Sequence, residues 1–146
     1  CHDGRRIPVA APPAAGSMAD VVVAAPIQPP TPGGATQRRP LGTMFGARSG
    51  DKGGNANVGV WARCPEAFAW LRTHLDEARF RALVPDAARL EVRRHELPNV
   101  LALNFVVVGL LGDGVAASTR ADPQAKGLGE YLRSRLVDLP VALLGG

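Results

Sequence analysis

Apolar residues fall in short runs whose period changes along the chain. Leu41–Arg48 is a brief apolar run that reads as a strand, and Asn57–Ala62, carrying Val58, Val60 and Trp61, reads as a second. Between them, Ser49–Ala56 reads as a loop dominated by Gly50, Gly53 and Gly54, so the pair is expected to form a hairpin. Pro65 suits the first turn of a helix. Phe68, Leu71 and Leu75 then recur at helical spacing, and this helix, broken near Asp76, is expected to end before Pro85. Leu90–Leu97 places Leu90 and Val92 on one face with charges opposite, as in a half-buried strand.

The second half of the chain is read in the same way. Asn99–Leu111 admits two readings. Asn99 suits a helix cap and Gly112 a helix stop, whereas Phe105, Val106, Val107 and Val108 favour a strand. Its 13 residues tilt the choice to a helix. Val115–Ala121 reads as a strand after the Gly112-Asp113-Gly114 turn. Asp122-Pro123 sets an acid at the cap and proline at the first helical position, opening a last helix with Leu128, Tyr131 and Leu132 on its apolar face. Leu136–Val141 closes as a short strand. Strands and helices interleave, so the fold class is α+β, a small sheet with helices packed on one face.

Composition sets the limits of this domain. The chain has 146 residues, and eight of its 13 prolines lie in residues 1–40. That segment, with Ala11-Pro12-Pro13 and Pro29-Pro30-Thr31-Pro32-Gly33-Gly34, reads as a disordered Pro/Ala-rich tail or linker in which Val21-Val22-Val23 is the one strand-like piece. Residues 41–146 are the expected domain, long enough for one core and too short for a large multidomain enzyme. The chain starts with Cys1 and not Met, as a fragment or trimmed product would.

Charge removes one class of function. Lys and Arg total 17 against 13 Asp and Glu, and the isoelectric point is near 9.8. From Leu41 onward, however, 13 basic residues face 11 acidic ones, and the adjacent pair Arg93-Arg94 has no interleaved aromatics. That balance builds no nucleic-acid face. The scattered His2, His74, His95, Cys1 and Cys64 offer no metal-ligand spacing and no disulfide framework, so no metal and no cofactor are expected. A reduced, cytoplasmic setting follows from the cysteine usage. No apolar run approaches the length of a membrane span.

Candidate chemistry concentrates in one stretch, Arg48-Ser49-Gly50-Asp51-Lys52-Gly53-Gly54-Asn55-Ala56-Asn57. Glycines let backbone N–H groups approach a ligand, and successive N–H groups make an anion-binding nest. Arg48 and Lys52 add charge-assisted bonds to a carboxylate or phosphate. Asp51 is placed to act as an acid or base, or to hold Lys52. The order is that of neither a P-loop nor a dinucleotide fingerprint. The competing reading is a hairpin loop whose Gly, Asn and Asp serve turn geometry alone. Candidate ligand contacts are Arg48, Ser49, Gly50, Asp51, Lys52, Gly53, Gly54, Asn55, Asn57 and the amide Asn104, which lies amid apolar residues. Asp51 and Lys52 are the catalytic candidates. Lys126 and Gly127, at the start of the last helix, are a weaker anion-binding candidate, an exposed lysine being the simpler reading. His95 reads as surface decoration and His74 as structural.

The Arg48–Gly59 stretch resembles the hallmark of the acyclic terpene utilisation (AtuA-like) family, in its small C-terminal domain. Glu96-Leu97-Pro98-Asn99, Leu103-Asn104-Phe105-Val106, Gly109-Leu110-Leu111-Gly112 and Asp122–Gly129 follow in the family's order, covering about Leu41 to Pro140. The resemblance implies a ferredoxin-like fold and an AtuA-type large domain or subunit as partner. It also implies a place in catabolism of acyclic terpenes or other branched acids as CoA thioesters. Three roles are compatible with it. One is an accessory domain or small subunit that contributes the glycine-rich loop to a shared site for an acyl-CoA or carboxylate. Another is a structural oligomerisation domain, and the third a small stand-alone enzyme. An oligomeric assembly is expected, with neither nucleic acid nor membrane as partner.

Overall fold

The structure is a computed structural model that describes residues 10–11 and 31–145. Most of the expected tail, with Val21–Val23, lies outside the described residues. The architecture is α+β; the described residues form a four-stranded antiparallel sheet, a separate two-stranded ribbon and three α-helices. Strand β1 (Thr36–Pro40) leads into β2 (Gly46–Lys52) and β3 (Asn55–Trp61). Helices α1 (Pro65–His74) and α2 (Glu77–Leu83) follow, then β4 (Val92–Leu97), β5 (Ala102–Val107), α3 (Leu128–Ser134) and β6 (Leu136–Pro140). The sheet order is β2-β3-β5-β4, and β1 pairs with β6.

Alternation explains the sheet. Val58 and Val60 on β3, and Leu103, Phe105 and Val107 on β5, point to one face and are fully buried. Phe80 of α2 stacks on Phe105 with ring centroids 4.5 Å apart. Each such aliphatic or aromatic side chain contributes about 1.5–3 kcal/mol by leaving water. Leu71 of α1 and Leu132 of α3 complete the core on the same side. The other face of the sheet carries Arg48, Lys52, Asn57, Asn104 and His95, which are half-buried or exposed.

The hairpin, the broken α1–α2 helix, β4 and the closing strand lie where the hydrophobic pattern puts them. The break has a plain cause: the Asp76 carboxylate caps α2 by accepting from the Arg79 N–H at 2.7 Å. Six differences from the sequence reading remain, five of them from Leu41 onward.

Ser49–Ala56 is not a long loop. The strands run on to Lys52 and from Asn55, leaving Gly53-Gly54 as the turn, with Gly53 at φ +62°. Leu41–Arg48 is not one strand, because Leu41–Thr43 forms a 3-10 turn before β2 begins. Asn99–Leu111 is not a helix. Asn99 sits in a 3-10 turn, Leu101 turns the chain at φ +51°, and β5 pairs on both sides, with β3 and β4. Two-sided pairing lets the β-branched run bury every second residue, which outweighs the cap and stop signals. Val115–Ala121 is not a strand, since it closes on itself through turns such as Ala117 N–H to the Gly114 carbonyl. Finally, Asp122 does not begin α3. Its carboxylate accepts from the N–H groups of Lys126 and Gly127 at 2.9 and 2.8 Å, Ala125 takes φ +51°, and the helix starts at Leu128.

β1 lies within the segment read as tail. Its five residues, Thr-Gln-Arg-Arg-Pro, are all exposed, so no hydrophobic signal marks it. Backbone pairing with β6, from Thr36 opposite Pro140 to Pro40 opposite Leu136, orders it.

Candidate functional site

Strand alternation sorts the candidate residues before any ligand is considered. Arg48, Gly50 and Lys52 project on the open face of β2, the edge strand. Register carries a row across the sheet from Arg48 through Gly59 and Asn104 to His95. A second row runs Gly50, Asn57, Val106 and Arg93. Arg48, Asn57 and Asn104, distant in sequence, therefore share one surface.

Ser49 and Asp51 turn the other way. Ser49 is buried; its hydroxyl accepts from the Gly129 N–H at 2.7 Å and donates to the Lys126 carbonyl at 3.1 Å. Both hydrogen bonds dock the start of α3 under β2. Asp51 pairs with the fully buried Ala56, which sets its side chain on the inner side of the strand, away from Lys52. No ion pair joins Asp51 and Lys52 among the described residues.

The hairpin end is used for packing. Asn55 Oδ1 accepts from the Gly109 N–H at 2.8 Å, and the Gly54 carbonyl accepts from the Leu111 N–H at 2.9 Å. A Cβ at Gly54 would lie 2.2 Å from the Gly112 carbonyl oxygen, so the 109–114 loop sits directly on the turn. Gly53, Gly54 and Asn55 thus hold the loop after β5.

A further cation joins the patch from far along the chain. Lys126 Nζ lies 3.3 Å from where a Cβ on Gly50 would be. Arg48, Gly50, Lys52, Asn57, Gly59 and Lys126, with Ser49 and Asp51, border a broad depression of about 340 Å³ along β2. Arg48, Lys52 and Lys126 are all exposed, and no ion pair engages any of them among the described residues. The arginines of β4 differ. Arg94 binds Glu96 at 3.0 Å and the carbonyl of Arg72 at 2.8 Å. Arg93 binds Glu91 at 2.7 Å, holding that carboxyl below its ordinary range while its own pKa rises. Other arginines, such as Arg63 and Arg89, are likewise in no ion pair among the described residues, but Arg48, Lys52 and Lys126 border one depression, where together they can take up a carboxylate or phosphate.

Lys126 was legible only as a weak candidate, because 74 positions separate it from Lys52 in sequence. Trp61 carried no signal of function; its indole lies across Gly46 on the open face, beside Arg48. His74 is structural, stacked on Trp70 at 4.5 Å with Nδ1 2.9 Å from the Trp70 carbonyl oxygen. Among the described residues no group of three or more His, Cys, Asp or Glu is placed to hold a metal. No helix there is long and apolar enough to cross a membrane.

The family model for the AtuA ferredoxin-like domain matches residues 39–138, more than half of the chain. No curated protein and no solved structure matches it.

Proposed function

The chain belongs to the AtuA ferredoxin-like domain family, and on that premise we propose that it is an accessory domain or small subunit of an AtuA-type protein, lending an anion-binding patch to a shared site. The shared site serves catabolism of acyclic terpenoid or other branched acyl-CoA substrates in the cytoplasm, and the patch takes the substrate's carboxylate or phosphate groups. One observation carries this reading. Arg48 and Lys52 flank Gly50 on one face of β2 and Lys126 reaches over it, none of the three in an ion pair among the described residues. The depression is open on its outer side, which suits a surface that a larger partner completes. Asn57 and Asn104 add amides on the same face. Asp51 and Lys52 lie on opposite sides of β2, so as acid/base and anion-binding groups they act separately.

The test pairs the chain with an AtuA-type large protein. Co-elution of the two, followed by acyl-CoA turnover that needs both, is the expected result. Arg48→Ala and Lys52→Ala are expected to lower that turnover about tenfold with folding intact, as loss of charge-assisted bonds to a bound anion does. Turnover by the isolated chain, or undiminished turnover by both variants, overturns the reading.

A structural oligomerisation role is the second reading, favoured by Leu97 and Val100, apolar side chains 45% and 64% exposed near one end of the open sheet. A monomer at high concentration by light scattering removes it.

A further inference from the structure

We propose that the groove along the free edge of β2 binds a nucleoside diphosphate, with the phosphates at Gly50 between Arg48, Lys52 and Lys126 and the base against Trp61. This rests on the anion-binding reading above and adds the class of ligand.

The groove is two adjoining depressions that share Arg48, Ser49 and Lys126. The first, about 340 Å³, is the cationic one over Gly50 and Asn57. The second, about 350 Å³, is bordered by Trp61, Gly129 and Glu130. Their chemistry differs. Gly50 itself has no side chain, and Lys126 Nζ lies over it, 3.3 Å from where its Cβ would be, so a phosphate there meets Lys126 with Arg48, Lys52 and the Asn57 amide around it. At the other end, a Cβ on Gly46 would stand 2.2 Å from the Trp61 ring, so the indole passes from β3 over β2 toward its free edge. Trp61 as a residue is 41% exposed although it is large and apolar. An exposed indole is a stacking surface that any nucleobase fits.

The spacing selects the ligand. Gly50 and Gly46 are four residues apart on one strand, about 13 Å at the usual rise. A nucleoside diphosphate covers that span; an inorganic phosphate or a short carboxylate does not. Neither bordering carboxylate opposes it. Asp51 is turned to the inner side of β2 by its pairing with Ala56. Glu130 is engaged by Arg133 Nη1 at 2.9 and 3.0 Å.

Calorimetric titration of the full chain with ADP, inorganic pyrophosphate and adenosine separates the two ends. ADP is expected to bind about tenfold more tightly than pyrophosphate, the usual worth of one stacked base. Trp61→Ala erases that preference and Trp61→Phe retains most of it; the Phe variant decides the matter if the Ala variant fails to fold. Lys126→Ala weakens ADP and pyrophosphate alike. Coenzyme A carries the same adenosine diphosphate group. Tighter binding of coenzyme A than of ADP assigns the groove to a thioester's handle, weaker binding assigns it to free nucleotide, and both support the proposal. Equal affinity for ADP and pyrophosphate, or an ADP preference that survives Trp61→Ala, overturns the nucleoside assignment and leaves the anion reading standing. Binding of neither anion overturns both.

Discussion

Ser49 and Arg48 are neighbours in sequence and opposites in role. The Ser49 hydroxyl satisfies the Gly129 N–H in a buried setting, so Ser49→Ala leaves that donor without its partner. The expected loss is about 1–3 kcal/mol, the penalty of a buried unpaired polar group, read as a lower midpoint in urea unfolding. Arg48→Ala removes an exposed, unpaired side chain and is expected to shift the same midpoint by no more than about 0.5 kcal/mol, as surface substitutions do. A larger loss at Arg48 than at Ser49 contradicts this division of roles. Gly50→Ala probes the patch without removing a charge. Its Cβ would stand 3.3 Å from Lys126 Nζ, the tip of a flexible side chain, so the lysine swings aside and the fold is kept. Pyrophosphate affinity is expected to fall severalfold with an unchanged unfolding midpoint.

At the scale of elements, α3 and the β1–β6 ribbon show how backbone approach decides placement. Gly129 presses on β2: an added Cβ would stand 3.2–3.3 Å from the backbone N, Cα and C of Arg48. Strand backbone cannot yield as a side-chain tip does. Gly129→Ala is therefore expected to destabilise by about 1–3 kcal/mol through overpacking, although alanine is the better helix former by about 1 kcal/mol. Thermal unfolding of the variant gives the sign directly. In the ribbon, every β1 side chain is exposed, so its order rests on pairing with β6. Deleting residues 1–40 is expected to free the β6 backbone and speed amide exchange at Val137 and Leu139, with the four-stranded sheet still protected. Unchanged exchange in β6 would show that its order does not depend on β1.

Over the whole molecule, an overall charge of +4 matters less than where charges are left unpaired. The β4 arginines are held by Glu91 and Glu96, while Arg48, Lys52 and Lys126 have no ion-pair partner among the described residues and border one depression. Binding there acts between exposed charges, so it is expected to weaken steadily as NaCl is raised from about 0.01 M to 0.15 M, over which the screening length falls from about 30 to 8 Å. Salt-independent binding would point to an apolar ligand. Among the described residues one face of the sheet carries the core, and the other carries the patch, as suits the proposed role beside a larger AtuA-type partner.

Much of the local structure was legible in the chain itself. Alternating Val58, Val60 and Trp61, the glycine-rich hairpin, Asp76 between two helical stretches, and the run of motifs from Arg48 to Gly129 determined the α+β class, the helix break and the family. These signals are local, set by side-chain period, turn preference and order along the chain. Tertiary structure decided the rest. Phe105–Val107 became a central strand only because β3 and β4 flank it. Asp122 caps a turn and not a helix, because Ala125 redirects the chain so that Ser49 can dock α3. β1 is ordered by a partner a hundred residues away, with no apolar residue to announce it. The candidate site divides by the same cause. Strand alternation puts Arg48, Gly50 and Lys52 on one side of β2 and Ser49 and Asp51 on the other. Register adds Asn57 and Asn104 to the open face, and the turn before α3 delivers Lys126. Which cations meet, and which are neutralised by a neighbouring carboxylate, depends on pairing across the sheet, and no spacing along the sequence encodes it.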